Sequence, residues 1–197
     1  MYNDLINNIE NKTLILFGEL HGTKVIPEFL YGFIIKIIQK KKINLCLEIP
    51  SELQPEMNSF MKKYDETLLD ILKAEDSFRY SSHYLEFLKK LRKHRNYIKV
   101  HCIESESFSQ EGKDKGLAKS IFGIMKNKKF TIAYMGDLHA SKNKLFIGKM
   151  QITPTGFLLK KELGDSMISI RFTLKDKERK SKEEVDFNKG FDYIIEI

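Results

Sequence analysis

Two stretches decide the reading: Leu14-Ile15-Leu16-Phe17-Gly18-Glu19-Leu20-His21-Gly22 and Ile132-Ala133-Tyr134-Met135-Gly136-Asp137-Leu138-His139-Ala140. Each opens as a short apolar run, the mark of a strand buried on both sides. Each run is stopped by Gly-acid-Leu-His. A glycine lets the chain turn and lets a neighbour approach the backbone closely. The same four residue types thus follow two strands, each time at the carboxyl end.

Working outward, apolar pairs recur four apart after Pro27: Phe29/Leu30, Phe33/Ile34 and Ile37/Ile38. That period predicts a helix with one buried stripe, and proline suits its first turn. Ile43, Leu45, Leu47 and Ile49 predict a second strand, stopped by Pro50. Two short polar helices are expected over 53–74, and an amphipathic helix from Tyr84 through Leu91 to about Arg95. A third strand is expected over 97–103, a helix over 116–126, and the fourth strand over 130–135. Beyond Ser141 the pattern is less regular, with late strands over 166–173 and 191–197 and a charged loop over 175–189. Strands alternating with helices predict an α/β fold: a mainly parallel central sheet with helices on both faces. The expected organisation is a single α/β domain spanning 1–197.

Composition narrows the function classes. The chain has 197 residues, 42% of them hydrophobic and 31% charged, which fits a packed domain and excludes a disordered one. Two cysteines, Cys46 and Cys102, are too few for a disulfide scaffold or a four-cysteine zinc site. No apolar run reaches membrane length, and 1–12 lacks a signal-peptide pattern, so the expected compartment is cytoplasmic. The net charge of +7 attracts polyanions. Along the chain, however, the signs are mixed: 160–184 holds eight Lys/Arg and six Asp/Glu. With no nucleic-acid reader motif, the expected partner is a small-molecule or peptide substrate. Polyanion binding stays open on charge alone.

In a parallel sheet, ligands bind outside the carboxyl ends of the strands. His21, Glu19, His139 and Asp137 fall there, and Glu48 ends the second strand in Leu47-Glu48-Ile49-Pro50. These five are the candidate catalytic residues. A histidine oriented by a carboxylate acts as a general base toward water. His21, Glu48 and His139 could instead hold a divalent metal ion that activates water. Such residues also serve a binding site without turnover, with haem or metal as ligand. Glu104 and Glu106 follow the third strand, and Glu104 could reach the same edge; Arg79 is a candidate anion clamp. His83 and His94 belong to a solvated helix, and His101 lies within a strand. Serine-elbow, P-loop, His-Glu-x-x-His and dinucleotide fingerprints are missing from the sequence.

The order and spacing of these motifs resemble the superfamily that joins erythromycin esterases, haem-uptake ChaN-like proteins and Tiki/TraB proteins. The resemblance runs from Leu14 through Leu47-Glu48-Ile49-Pro50, Tyr97-Ile98-Lys99-Val100 and Leu117-Ala118 to Ala140, with a late strand at Phe191-Asp192-Tyr193-Ile194-Ile195. It implies an erythromycin esterase/ChaN-like fold with a polar site at one sheet edge. The matching positions are Gly18, Glu19, His21, Glu48, Gly136 and His139, with Asp137 where the family varies. The activity implied is hydrolysis of an ester, lactone or amide bond by a His/Glu cluster, metal-assisted in some members; haem binding without catalysis is implied by the ChaN-like branch. The extra helical part expected of the macrolide esterases has no counterpart in this sequence, which argues against a macrolide substrate.

Overall fold

The computed structural model describes residues 5–6, 8–9, 11–63, 65–105, 109–126, 129–147, 150–173 and 187–197. The strands are β1 (Leu14–Glu19), β2 (Ile43–Pro50), β3 (Ile98–Glu104), β4 (Thr131–Gly136), β5 (Leu145–Ile147), β6 (Met150–Ile152), β7 (Met167–Thr173) and β8 (Tyr193–Glu196). The helices are α1 (Val25–Ile38), α2 (Gln54–Lys63), α3 (Thr67–Glu75), α4 (Ser82–Arg92), α5 (Gln110–Met125), α6 (Asp137–Ala140) and α7 (Thr155–Leu163). Six strands form one parallel sheet in the order β3-β2-β4-β1-β7-β8; β5 and β6 make a separate antiparallel hairpin.

Both faces of the sheet are covered, which is why its central strands read as unbroken apolar runs. Odd-numbered residues of β1 and β2 (Ile15, Phe17, Leu45, Leu47, Ile49) join a core with α1, α2 and α4. Alternate residues (Leu14, Leu16, Cys46) with Ala133 and Met135 join a second core under α5 and α7, around Leu117, Ile121 and Leu159. The expected α/β architecture is therefore the observed one. Three features escaped the sequence pattern: the short helix α6, the β5–β6 hairpin and α7. Helix α5 also begins six residues before the expected start at Gly116, capped by Ser109, whose hydroxyl accepts from Gly112 N–H at 3.1 Å. Most of the expected charged loop, 174–186, and Glu106 lie outside the described residues. Among the described residues, no helix is long and apolar enough to cross a membrane.

Candidate active site

β1 and β4 are neighbours in register, Glu19 opposite Gly136. The two Gly-acid-Leu-His segments therefore leave the sheet side by side. Gly18 explains how closely: a Cβ there would lie 2.9 Å from the Asp137 Cα, so the short turn α6 rests directly on β1. On the far side, Ser169 of β7 donates its hydroxyl to the Ala140 carbonyl at 2.6 Å. α6 is thus held from two strands, and His139 with it.

The two imidazoles converge at Gly136. A Cβ on that glycine would sit 3.4 Å from His21 Nε2, 3.6 Å from His139 Cδ2 and 3.7 Å from Glu48 Oε2. Each ring is oriented through Nδ1 by its own carboxylate. Glu19 Oε1 is 2.6 Å from His21 Nδ1, and Asp114 Oδ1 is 2.8 Å from His139 Nδ1. A proton on Nδ1 leaves the neutral His21 with its lone pair on Nε2, the atom facing Gly136. The His21 side chain is 30% exposed, that of His139 only 9%. Burial works against a charged His21, but the hydrogen bond to Glu19 and the charges of Glu19 and Glu48 outweigh it and raise its pKa.

Glu48 lies deeper. β2 carries one residue more than β3 between the pairs Leu47–Cys102 and Pro50–Glu104, an irregularity that spans Glu48 and re-aims side chains. Its Oε2 accepts from Gly136 N–H at 2.7 Å. Its Oε1 meets Arg79 Nη2 at 3.0 Å, Lys113 Nζ at 2.8 Å and His139 Nε2 at 3.5 Å. Glu104 on β3 completes a square of alternating charge, 2.8 Å from Arg79 Nη2 and 2.6 Å from Lys113 Nζ. Burial opposes ionisation of Glu48, but Arg79, His139 and Lys113 overcome it and pull its pKa down to about 2. Arg79 reaches this place from the turn after α3, where Asp76 Oδ1 accepts from the Phe78 and Arg79 N–H groups, each at 3.0 Å. Its Nη2 also donates to the Glu48 carbonyl at 2.6 Å.

The expected divalent site at His21, Glu48 and His139 does not fit this arrangement. Among the described residues, no three His, Cys, Asp or Glu side chains are grouped to hold a metal ion. The cause is local: two cationic side chains already occupy Glu48 and would repel a metal. For haem, His21 offers the more exposed imidazole of the pair. Tyr134, next to the second motif, is no ligand; it is buried and stacked on Tyr84 with ring centroids 6.0 Å apart. Nor is there a thiol nucleophile: Cys46 and Cys102 are buried, and burial pushes the Cys102 thiol up to about 12.

Asp137 turns away from the cluster to Arg171 Nε at 3.2 Å, so it braces α6. The structure brings in three residues that the motifs do not mark: Asp114, Lys113 and Thr155. Asp114 is fully buried and accepts from Thr155 N–H and Oγ1–H, each at 2.7 Å, and at Oδ2 from Gln110 Nε2 at 2.9 Å. Glu104 and Arg79, secondary candidates in the sequence, both belong to the cluster. His83 is exposed on α4, His94 faces the Tyr31 hydroxyl at 3.1 Å, and His101 faces Asn44 at 3.3 Å, all apart from it.

No protein-family model matches the chain, and no curated protein sequence does. Solved structures do. A mutant of erythromycin esterase EreC in its open conformation matches at TM-score 0.72 and 9% identity, over 88% of this chain and 72% of that one. ChaN of Campylobacter jejuni, which binds haem cofacially, matches at TM-score 0.57 and 13% identity, over 89% and 87%. The chain has the erythromycin esterase/ChaN-like fold. The type III effector HopBA1 shares this fold at TM-score 0.69 and 14% identity, over 99% of this chain and 92% of that one. Identities this low carry the erythromycin esterase/ChaN-like fold and nothing finer, so function rests on the cluster itself.

Proposed function

We propose that the protein is a hydrolase of ester, lactone or amide bonds that works without a metal, with His21 as general base. The observation that carries this reading is the meeting of two carboxylate-oriented imidazoles over Gly136. Neutral His21 takes a proton at Nε2 from water as the water oxygen bonds to the acyl carbon. The tetrahedral intermediate then collapses; the carbon–oxygen or carbon–nitrogen bond breaks, and the leaving group receives that proton from His21. Glu19 fixes the tautomer and stabilises the imidazolium formed on the way. Glu48, with a pKa near 2, is too weak a base for this step; it anchors Arg79, Lys113 and His139. His139 spans Asp114 and Glu48 and borders the place of the reacting carbonyl.

The test is a panel of p-nitrophenyl esters, lactones and peptide amides, run with chelator and metal analysis on wild type, His21→Ala and His139→Ala. The expected result is chelator-resistant turnover lost in His21→Ala. Unchanged turnover in His21→Ala, or activity that needs a stoichiometric metal, overturns the mechanism. The second reading, haem binding, is supported by the part-exposed His21 imidazole and by ChaN of Campylobacter jejuni sharing the fold. A haemin titration separates the two: a saturable Soret shift that His21→Ala removes, with no turnover of any substrate, favours haem.

A further inference from the structure

The lysines that look dispersed along the chain are gathered by the fold. Two adjoining concavities of about 640 and 690 Å³ lie between α5 and α7 and run on to the start of β1 and β4. That is the end of the sheet opposite the histidines. They share Phe122, Lys126 and Glu162 and so form one groove. Seven lysines, from Lys12 to Lys161, line it, against a single carboxylate, Glu162. This accounts for nearly all of the chain's net charge of +7. The floor is apolar: Phe122, Met125, Leu158 and Leu163 pack on the core beneath while remaining partly open. Lys119, Lys126 and Lys129 have no ion-pair partner among the described residues.

We propose that this groove docks an acidic amphipathic segment of a partner protein. Lys115, Lys119, Phe122 and Lys126 follow one another four, three and four residues apart, a single face of α5 about 16 Å long. Cationic walls around an aliphatic floor of that length complement a helix with apolar anchors and acidic flanks. Charge complementarity also decides against the other occupants. A second copy of this chain would set seven lysines against seven. A bilayer meets a protruding apolar surface, whereas this floor is recessed between two helices. Single-stranded nucleic acid needs stacking faces, and three of the four floor residues are aliphatic.

The experiment uses the full chain and a fluorescein-labelled synthetic peptide about five helical turns long. The peptide carries Leu at i, i+3, i+4 and i+7 repeats and Glu elsewhere, and a scrambled peptide of the same composition is the control. Anisotropy titrations at about 0.15 M salt should give saturable binding of the patterned peptide. Scrambling the peptide should weaken it at least about tenfold, and so should Lys119→Glu/Lys126→Glu/Lys129→Glu in the protein. Circular dichroism melts of the triple variant confirm that it folds. Equal binding of the two peptides, full binding by the triple variant, or no binding of the patterned peptide overturns the proposal. Displacement of the peptide by oligo-dT or by phosphatidylserine vesicles at lower concentration overturns it in favour of nucleic acid or membrane.

Discussion

Gly136→Ala separates catalysis from folding at this site. The backbone of Gly136 has φ −52° and ψ 144°, which alanine adopts without strain. The added methyl would lie in ordinary contact with its neighbours, the nearest being His21 Nε2 at 3.4 Å. Stability should therefore stay within about 0.5 kcal/mol of wild type. A water poised for deprotonation must come within about 3.2 Å of Nε2. The methyl occupies that approach, so kcat/KM should fall about 100-fold, equivalent to about 2.7 kcal/mol of transition-state stabilisation. Gly18→Ala is the matched control, because its Cβ would meet the Asp137 backbone at 2.9 Å. That overlap forces α6 off β1 and should cost about 1–3 kcal/mol of folding free energy. Urea denaturation and initial rates on the best ester substrate measure both variants. Near wild-type activity in a folded Gly136→Ala protein would refute the placement of the reacting water.

Three further outcomes follow from the same geometry. Glu19 raises the His21 pKa, so the base form of His21 is populated only above that pKa and activity rises with pH through it. Glu19→Gln should move this acid limb to lower pH while lowering kcat about 100-fold; a pH–kcat/KM profile with the limb unmoved would contradict the pairing. Glu48 is depressed from 4.5 to about 2, so its stabilisation is present above pH 4.5 and is lost as pH falls through 2. That linkage amounts to about 3 kcal/mol, and Glu48→Gln should remove it, flattening the acid side of the stability curve measured by urea titration. Asp114→Asn turns an amide toward the Thr155 donors and should cost about 2–4 kcal/mol, with the His139 Nδ1 proton resonance shifting in NMR spectra.

The fold was legible because the parallel strands are buried on both faces, so β1, β2 and β4 read as apolar runs in the bare sequence. His21, Glu19, Glu48 and His139 were legible because two motifs repeat at strand ends. The other half of the cluster was not. Asp114 and Lys113 sit in Gln110-Glu111-Gly112-Lys113-Asp114-Lys115, a charged run in which no residue stands out. The usable signal was Ser109 as a helix cap. It would have placed Asp114, Leu117 and Ile121 on one buried face. Arg79 was legible only as a candidate anion clamp, because the side-chain turn at Asp76 that delivers it to Glu48 has no periodicity to detect. The Asp137 partner was not legible, because a strand-end acid looks the same in sequence whether it faces a site or, as here, Arg171.

The strand order β3-β2-β4-β1-β7-β8 has a consequence for how the chain is made. β1 emerges first from the ribosome, yet its two neighbours, β4 and β7, begin at Thr131 and Met167. Until those segments have been synthesised, Leu14–Phe17 has no sheet partner to satisfy its backbone. Such distant pairings make folding slow and leave a sticky strand exposed during synthesis. Fragments ending before β4 should be aggregation-prone and should lack the His21–His139 pair altogether, so the active centre arises late, with the completed sheet.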